Sequence, residues 1–192
     1  MKFQTRPIPH RLLLALALLL PAGCAVHRTS TTTLAAPDGQ QIEVAFSPEA
    51  GAEALVLKVI GSAHQSLRLA GYSFTSPSVV RALIDAKKRG VDVKVLVDDR
   101  GNRGKASIAA MNLVAGADIP IKVISTYAIH HDKYIVVDAR HTQTGSFNYS
   151  QAAARSNSEN ALVVWNNPKL AADFTAHWDS RWAQGVLVEM SY

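Results

Sequence analysis

Residues 131–148 read HDKYIVVDARHTQTGSFN. Polar residues stand at fixed offsets in this stretch: His131, Lys133, Asp138, Gly145, Ser146 and Asn148. Residues 133–137 are β-branched and apolar, which predicts a buried strand. Because residues two apart on a strand share a face, His131 and Lys133 point the same way if the strand begins that early. Ser146 and Asn148 share a face by the same argument, with Phe147 between them directed into the core.

The chemistry of these side chains converges on phosphate. A neutral imidazole is abundant near its ordinary pKa of about 6.5, so His131 can act as a nucleophile at phosphorus. Lys133 offers a positive charge to the phosphate oxygens, and Ser146 and Asn148 offer neutral donors. Gly145 allows the backbone to come close to a ligand. Asp138 is an odd number of residues from His131 and Lys133, so we predict a structural role for it, at the turn 139–140.

The pattern H-x-K-x4-D-x6-G-S-x-N resembles the signature of the phospholipase D superfamily. From about residue 42 to the C-terminus the chain is similar to the small bacterial endonucleases of that superfamily, which carry a single motif. The resemblance implies an α/β/α sandwich with a mixed central sheet. It also implies phosphodiester hydrolysis through a covalent phosphohistidine on His131, with no metal and no other cofactor. In the resembling nucleases a glutamate at the place of Glu159 pairs with the catalytic histidine.

The motif occurs once in the chain. The leaving oxygen needs a proton donor, and one motif supplies one suitable histidine. The simplest second source is an identical subunit, which predicts a homodimer with one shared site. We expect the substrate to be DNA, with RNA as a further candidate. The alternative is a phospholipase D that acts on phospholipid head groups, and a non-enzymatic nucleic-acid-binding dimer is a third class.

The N-terminus has the features of an export signal. Basic residues precede a short apolar run at 12–20, and small residues follow it. We therefore predict a signal peptide at 1–25, a flexible linker at 26–41 and a catalytic domain at 42–192, in a protein exported to the periplasm. Cys24 follows Ala22-Gly23 as in a lipoprotein signal, so it is a candidate for lipidation and a membrane tether, although Pro21 departs from that pattern.

The remaining composition is less specific. Three basic residues of the leader account for much of the net charge of +5, so charge is a weak argument for nucleic acid. Patterning predicts an α/β domain in which Ser47-Pro48, Ser76-Pro77 and Asn167-Pro168 open helices. Strands are predicted at 42–46, 66–72, 91–97, 121–124, 133–137, 143–147 and 161–165, and a further helix at 105–115. His64, His141 and His177 are interpreted as ordinary surface or partly packed residues.

Overall fold

The computed structural model describes residues 36–189. Its strands are β1 (Gln41–Ser47), β2 (Ser66–Gly71), β3 (Asp92–Asp98), β4 (Ile121–Ile124), β5 (Tyr134–Val137), β6 (His141–Gly145), β7 (Glu159–Trp165) and β8 (Val186–Leu187). They form one sheet in the order β1-β7-β6-β5-β2-β3-β4-β8. The neighbours β2, β3 and β4 run parallel, and every other pair is antiparallel. The predicted mixed sheet is confirmed.

Five helices cover the two faces of this sheet: α1 (Ala52–Gly61), α2 (Pro77–Lys88), α3 (Lys105–Ala115), α4 (Gln151–Arg155) and α5 (Pro168–Trp182). The first four pack on one face around a large apolar core. On the other face, α5 packs around a smaller core that includes Trp178, whose ring N–H donates to the carbonyl of Leu69 in β2 at 3.0 Å. The predicted α/β/α sandwich is therefore confirmed.

Two of the three predicted helix starts match the structure. The Ser76 hydroxyl accepts from the amide of Val79, and the Asn167 side chain accepts from the amide of Leu170. The third was wrong, because Ser47 stays in β1, paired with Glu159, and α1 begins only at Ala52. The strand predicted at 143–147 ends two residues early, at Gly145.

The topology fixes where the motif lies. Ala70 near the end of β2 pairs with Tyr134 at the start of β5. The segment that precedes β5 therefore lies at the edge where β2 and the parallel strand β3 end. In α/β sheets this edge is where ligands bind.

The predicted leader 1–25 and most of the predicted linker lie outside the described residues, and so does Cys24. Residues 39–41 belong to the fold, since Gln41 begins β1 and the carbonyl of Gly39 accepts from the Asn166 side chain. None of the helices between residues 36 and 189 is both long enough and apolar enough to cross a bilayer.

Candidate active site

His131 lies in the segment just before β5, and its side chain is exposed. The imidazole packs edge-on against the ring of Tyr72, with ring centroids 4.7 Å apart and an angle of 63° between the planes. Tyr72 directly follows β2, so the ring that orients His131 comes from the neighbouring strand. Because β5 begins at Tyr134, the predicted strand alternation does not place His131, and the packing against Tyr72 does.

Lys133 is buried, with 8% of its surface exposed. Its ammonium donates to the carbonyl oxygen of His131 at 3.1 Å and lies 5.3 Å from the centre of the Tyr72 ring. Burial lowers the pKa of Lys133, and the charges of Glu159 and Asp132 oppose that shift. The backbone of the histidine and the ring beside it therefore fix the position of a desolvated cation, where its charge acts strongly on a bound anion.

A buried carboxylate holds this segment in place. Asp98, the last residue of β3, accepts from the amides of Gly101 at 2.6 Å and His130 at 2.7 Å. The Asn102 side chain accepts from the amide of Phe74 and donates to the carbonyl of Tyr72 at 2.7 Å. Asp98 thus fixes the backbone next to His131, and Asn102, shortly after β3, fixes the backbone of Tyr72.

The second half of the motif leaves β6 and turns into the core. Phe147 is fully buried, as predicted. On one side of it, the Ser146 hydroxyl accepts from the backbone amide of Asn160 at 3.0 Å and from its side-chain amide at 3.2 Å. On the other side, the carbonyl oxygen of the Asn148 side chain is buried and has no hydrogen-bond partner between residues 36 and 189. Ser146 therefore links the end of β6 to β7, and the side-chain oxygen of Asn148 remains able to accept a hydrogen bond.

Gly145 allows a close approach between two strands. Its φ is +146°, and a Cβ built at this position would lie 2.3 Å from the carbonyl oxygen of Asn160. Asn160 belongs to β7, which pairs with β6 through Gly145 and Ala161. Gly145 also lines the cavity beside His131 and Lys133, so its approach to a ligand stays a prediction.

Asp138 has a structural environment, although its partners differ from those predicted. Its carboxylate accepts from three successive backbone amides at the start of β2, those of His64, Gln65 and Ser66, at 2.8 to 2.9 Å. Burial alone would raise the pKa of Asp138, but these three donors outweigh it and lower the pKa. The carboxylate therefore links the end of β5 to the start of β2, and it does not anchor the turn at 139–140 as predicted.

Glu159 does not pair with His131 within this chain, contrary to the expectation. Its carboxylate accepts from the side-chain amide of Asn157 at 3.0 Å. The contact is local, two residues back, and it holds the carboxylate at the start of β7. The catalytic group that its charge reaches is Lys133, whose pKa it raises against the effect of burial.

The family model of the cardiolipin synthase PLD-like domain matches residues 56–182. The chain belongs to the phospholipase D superfamily. It is 32% identical to a phospholipase D of Rickettsia bellii over 144 residues, which are 75% of this chain and 70% of the relative. It is also 32% identical to the mitochondrial cardiolipin hydrolase of Xenopus laevis over 110 residues, 57% of this chain and 51% of that protein.

Among solved structures, Nuc from Salmonella typhimurium, a phospholipase D family member, is 52% identical with a TM-score of 0.77. The similarity covers 78% of this chain and 99% of Nuc. NucT from Helicobacter pylori, at 22% identity and a TM-score of 0.66, shares the fold over 78% of this chain and 99% of that one. With the superfamily motif complete in residues 131–148, the protein is a phosphodiester hydrolase.

Three residues near the superfamily motif escaped sequence reasoning. Tyr72 orients His131, Asp132 accepts a hydrogen bond, and His177 of α5 lies beside them. The ring Nε2 of His177 is 3.0 Å from the carboxylate of Asp132. Forty-five residues separate this pair, so no local pattern could reveal it, and only the packing of α5 on the sheet brings the two together.

Three side chains close to His131 are of types that can bind a metal ion. His130, Asp132 and His177 come near one another, but the His130 ring nitrogen is 3.5 Å from Asp132 and the residue is almost fully buried. Over residues 36–189, no group of three or more His, Cys, Asp or Glu side chains has the arrangement of a metal site. His130 is held in the interior by the hydrogen bond from its backbone amide to Asp98.

Proposed function

We propose that the protein is a metal-independent endonuclease that hydrolyses phosphodiester bonds of DNA, with RNA as a second substrate. The observation that carries the proposal is the pairing of an exposed, ring-oriented histidine with a buried ammonium that donates to the same residue's backbone. The resemblance to the small single-motif endonucleases of the superfamily, and the 52% identity to Nuc over nearly all of that chain, support the assignment.

In the proposed mechanism, a ring nitrogen of His131 attacks phosphorus and forms a P–N bond while the bond to the leaving oxygen breaks. Lys133 and the side-chain NH2 of Asn148 donate to the non-bridging oxygens and stabilise their negative charge, and Lys133 supplies the positive charge that a metal ion would otherwise provide. Water then attacks the phosphohistidine, the P–N bond breaks, and His131 is regenerated. Ser146 acts through Asn160 and the backbone of the β6–β7 junction.

The leaving alkoxide needs a proton, and we propose that His131 of a second subunit donates it. A surface suited to a second subunit lies on edge strand β1, where Ile42, Val44 and Phe46 are 59%, 58% and 53% exposed. These side chains share the sheet face that α5 covers elsewhere, as the pairing of Val44 with Leu162 shows. Phe46 pairs with Asn160, the residue that contacts Ser146, so the apolar stripe runs up to the site.

The mechanism is tested by nicking of supercoiled plasmid in excess EDTA. We expect cleavage by the wild type, complete loss in His131→Ala, and a loss of roughly 100-fold or more in Lys133→Met, since removing one charge-stabilising donor typically costs about that much. Circular dichroism melting serves as the folding control. Activity that disappears with EDTA and returns with a divalent ion would contradict the metal-independent mechanism.

The shared site is tested by Val44→Glu. An exposed side chain tolerates the charge in a folded monomer, whereas a carboxylate buried between two subunits without a partner is strongly unfavourable. We expect light scattering to report a dimer for wild type and a monomer without nuclease activity for Val44→Glu. Leu113→Glu, at a position 60% exposed on α3, should leave both properties unchanged. A monomeric wild type with full activity would refute the shared site.

A second candidate is hydrolysis of phospholipid head groups, which is favoured by the name phospholipase D of the Rickettsia relatives. The same nucleophile serves both reactions. A parallel assay on DNA, RNA and phosphatidylcholine vesicles, each with the His131→Ala control, separates the two. Release of choline with no cleavage of nucleic acid would replace the nuclease assignment.

We also propose that the protein is exported to the periplasm, where a tether through a lipidated Cys24 is the alternative to release in soluble form. Cell fractionation and metabolic labelling with palmitate test these two statements separately, with Cys24→Ser as the control. Labelling that persists in Cys24→Ser would exclude this cysteine as the lipidation site.

A further inference from the structure

A cavity of about 460 Å³ opens next to His131 and Lys133. The proposed attack on phosphorus accounts only for the side of this cavity that the motif lines. The opposite wall comes from α5, through Asp173, Phe174 and His177. This volume is in the range of pockets that hold small organic ligands, and it exceeds what one phosphate group requires.

Aromatic rings form much of the far side of the cavity. Phe174 meets Tyr134 edge-to-face, with ring centroids 5.0 Å apart and an angle of 72°. The His177 ring is 6.1 Å from Tyr134. Trp178, the residue after His177, is buried, and its ring N–H donates to the carbonyl of Leu69 in β2. This bond fixes α5, the helix that carries Phe174 and His177, on the sheet. The three rings are therefore held in place before any ligand binds.

The two polar side chains beside Phe174 differ in what they can offer a ligand. Asp132 holds the His177 ring through one nitrogen at 3.0 Å, while the other ring nitrogen has no hydrogen-bond partner among the described residues. Tyr134 is 3% exposed, and its hydroxyl is buried with no partner between residues 36 and 189. Burial raises the pKa of this hydroxyl, so it stays a neutral donor. The His177 ring is 41% exposed, so a ligand in the cavity can reach its free nitrogen, whereas the buried Tyr134 hydroxyl lies behind the cavity wall.

We propose that this cavity is the subsite for the nucleoside on one side of the scissile phosphate, with Phe174 as its apolar wall and His177 as its polar contact. The inference rests on the proposed nuclease function and specifies where that function binds its substrate. Bases of every kind have an apolar face, so an aromatic wall binds them without strong sequence preference.

The lining favours a nucleoside over a phospholipid head group. Choline and ethanolamine carry a positive charge, and the buried ammonium of Lys133 lines the same cavity. Of the two carboxylates in the lining, Asp132 is engaged by His177, and Asp173 is exposed to solvent, which screens its charge. Phe174 and Tyr134 pack edge-to-face on each other with ring centroids 5.0 Å apart, which leaves no room between them for a quaternary ammonium.

The test compares esters with the same p-nitrophenolate leaving group. The 5′- and 3′-p-nitrophenyl esters of thymidine phosphate carry a nucleoside, and methyl p-nitrophenyl phosphate carries none. Steady-state kinetics are measured for the wild type, Phe174→Leu, Phe174→Ala and His177→Ala. Leu113→Ala is the control for loss of an exposed apolar side chain outside the cavity. Phe174→Leu keeps most of the apolar volume against Tyr134, so it tests the loss of the ring in a folded protein.

We expect kcat/KM for one thymidine ester to fall roughly tenfold in the Phe174 variants, in line with the effect of removing one base-stacking ring. His177→Ala should lower it through KM, while turnover of the methyl ester stays within about twofold of wild type in all variants. Equal losses on all three esters would assign Phe174 and His177 a purely structural role and overturn the subsite. No loss on either thymidine ester would overturn it as well.

The outcomes also separate this inference from the proposed function. A wild type that hydrolyses none of the esters and no DNA fails as a nuclease. A wild type that cleaves DNA while the variants keep full activity on both thymidine esters remains a nuclease but lacks this subsite. Variants that lose only the hydrolysis of a short-chain phosphatidylcholine would show that a lipid head group occupies the cavity.

Discussion

The carboxylate of Asp138 allows the scaffold of the motif to be separated from its chemistry. Oδ1 accepts from Gln65 and Ser66, and Oδ2 accepts from His64. Asp138→Asn keeps one acceptor oxygen for the first two amides and turns an NH2 group toward the third. The backbone φ of 52° at this position suits asparagine, so the substitution adds little strain.

The expected cost follows from these three bonds. A hydrogen bond to a charged group contributes about 1.5–3 kcal/mol, and partial exposure of the carboxylate places these bonds near the lower end. Asp138→Asn loses one bond outright and the charge on two others, so we expect a loss of about 2 kcal/mol in the free energy of unfolding. Asp138→Ala loses all three hydrogen bonds and puts alanine at a positive φ, where its side chain cannot form the local hydrogen bonds that aspartate and asparagine can. We therefore expect a loss of about 4 kcal/mol in the free energy of unfolding.

The effect of pH distinguishes the charge from the shape of the side chain. The pKa of Asp138 is lowered in the folded protein, so its contribution is fully present above the unfolded pKa of about 3.9 and is lost as the pH falls through the folded value. Urea unfolding should therefore show a constant gap between the wild type and Asp138→Asn from pH 5 to 7, and a narrowing gap below pH 4.

Activity provides the complementary measurement. Nuclease turnover per folded molecule should be unchanged in Asp138→Asn. A variant as stable as the wild type at pH 7 would refute the three-bond account. A variant that folds normally but has lost turnover would move Asp138 from the scaffold to the reaction.

Two further predictions concern Gly145 and Lys133. Gly145→Ala places a Cβ against the carbonyl of Asn160 and should lower the free energy of unfolding by about 3 kcal/mol, or Tm by roughly 6–12 °C for a domain of this size. Gly61→Ala, which has open space around it, should change Tm little. Equal Tm values for both variants would contradict the close approach of β6 and β7. Because burial lowers the pKa of Lys133, kcat/KM should decline at a pH below the ordinary lysine pKa of about 10.4. The residual activity of Lys133→Arg should lack that decline, since arginine keeps its charge at this pH. A decline that persists in Lys133→Arg must come from another group.

Much of the fold could be predicted from the sequence because its signals are local. The helix at 105–115 and the strand at 121–124 match α3 and β4 at both ends. Ser76 and Asn167 cap helices through bonds three residues along the chain, a contact that the sequence spacing already contains. Ser47-Pro48 has the same local pattern, but there the ladder with β7 overrides it.

The site was harder to predict because its geometry depends on contacts across the sheet. The motif identifies His131 and Lys133, but Tyr72 and Asp98, which position them, come from two other strands. Asp138 was separated from the nucleophile by strand alternation, yet its three partners lie more than seventy residues earlier in the chain. The helix α4 and the strand β8 were missed, since five residues and two residues carry too little periodicity.

The Asp98 carboxylate has a consequence for motion. It joins the turn after β3 to the segment that carries His131, although 32 residues separate Asp98 from His130. Buried backbone amides of this kind exchange with solvent only when the structure around them opens. The His130 amide should therefore exchange as slowly as amides in the centre of the sheet. We therefore expect the segment that carries His131, although irregular in conformation, to be as rigid as the core.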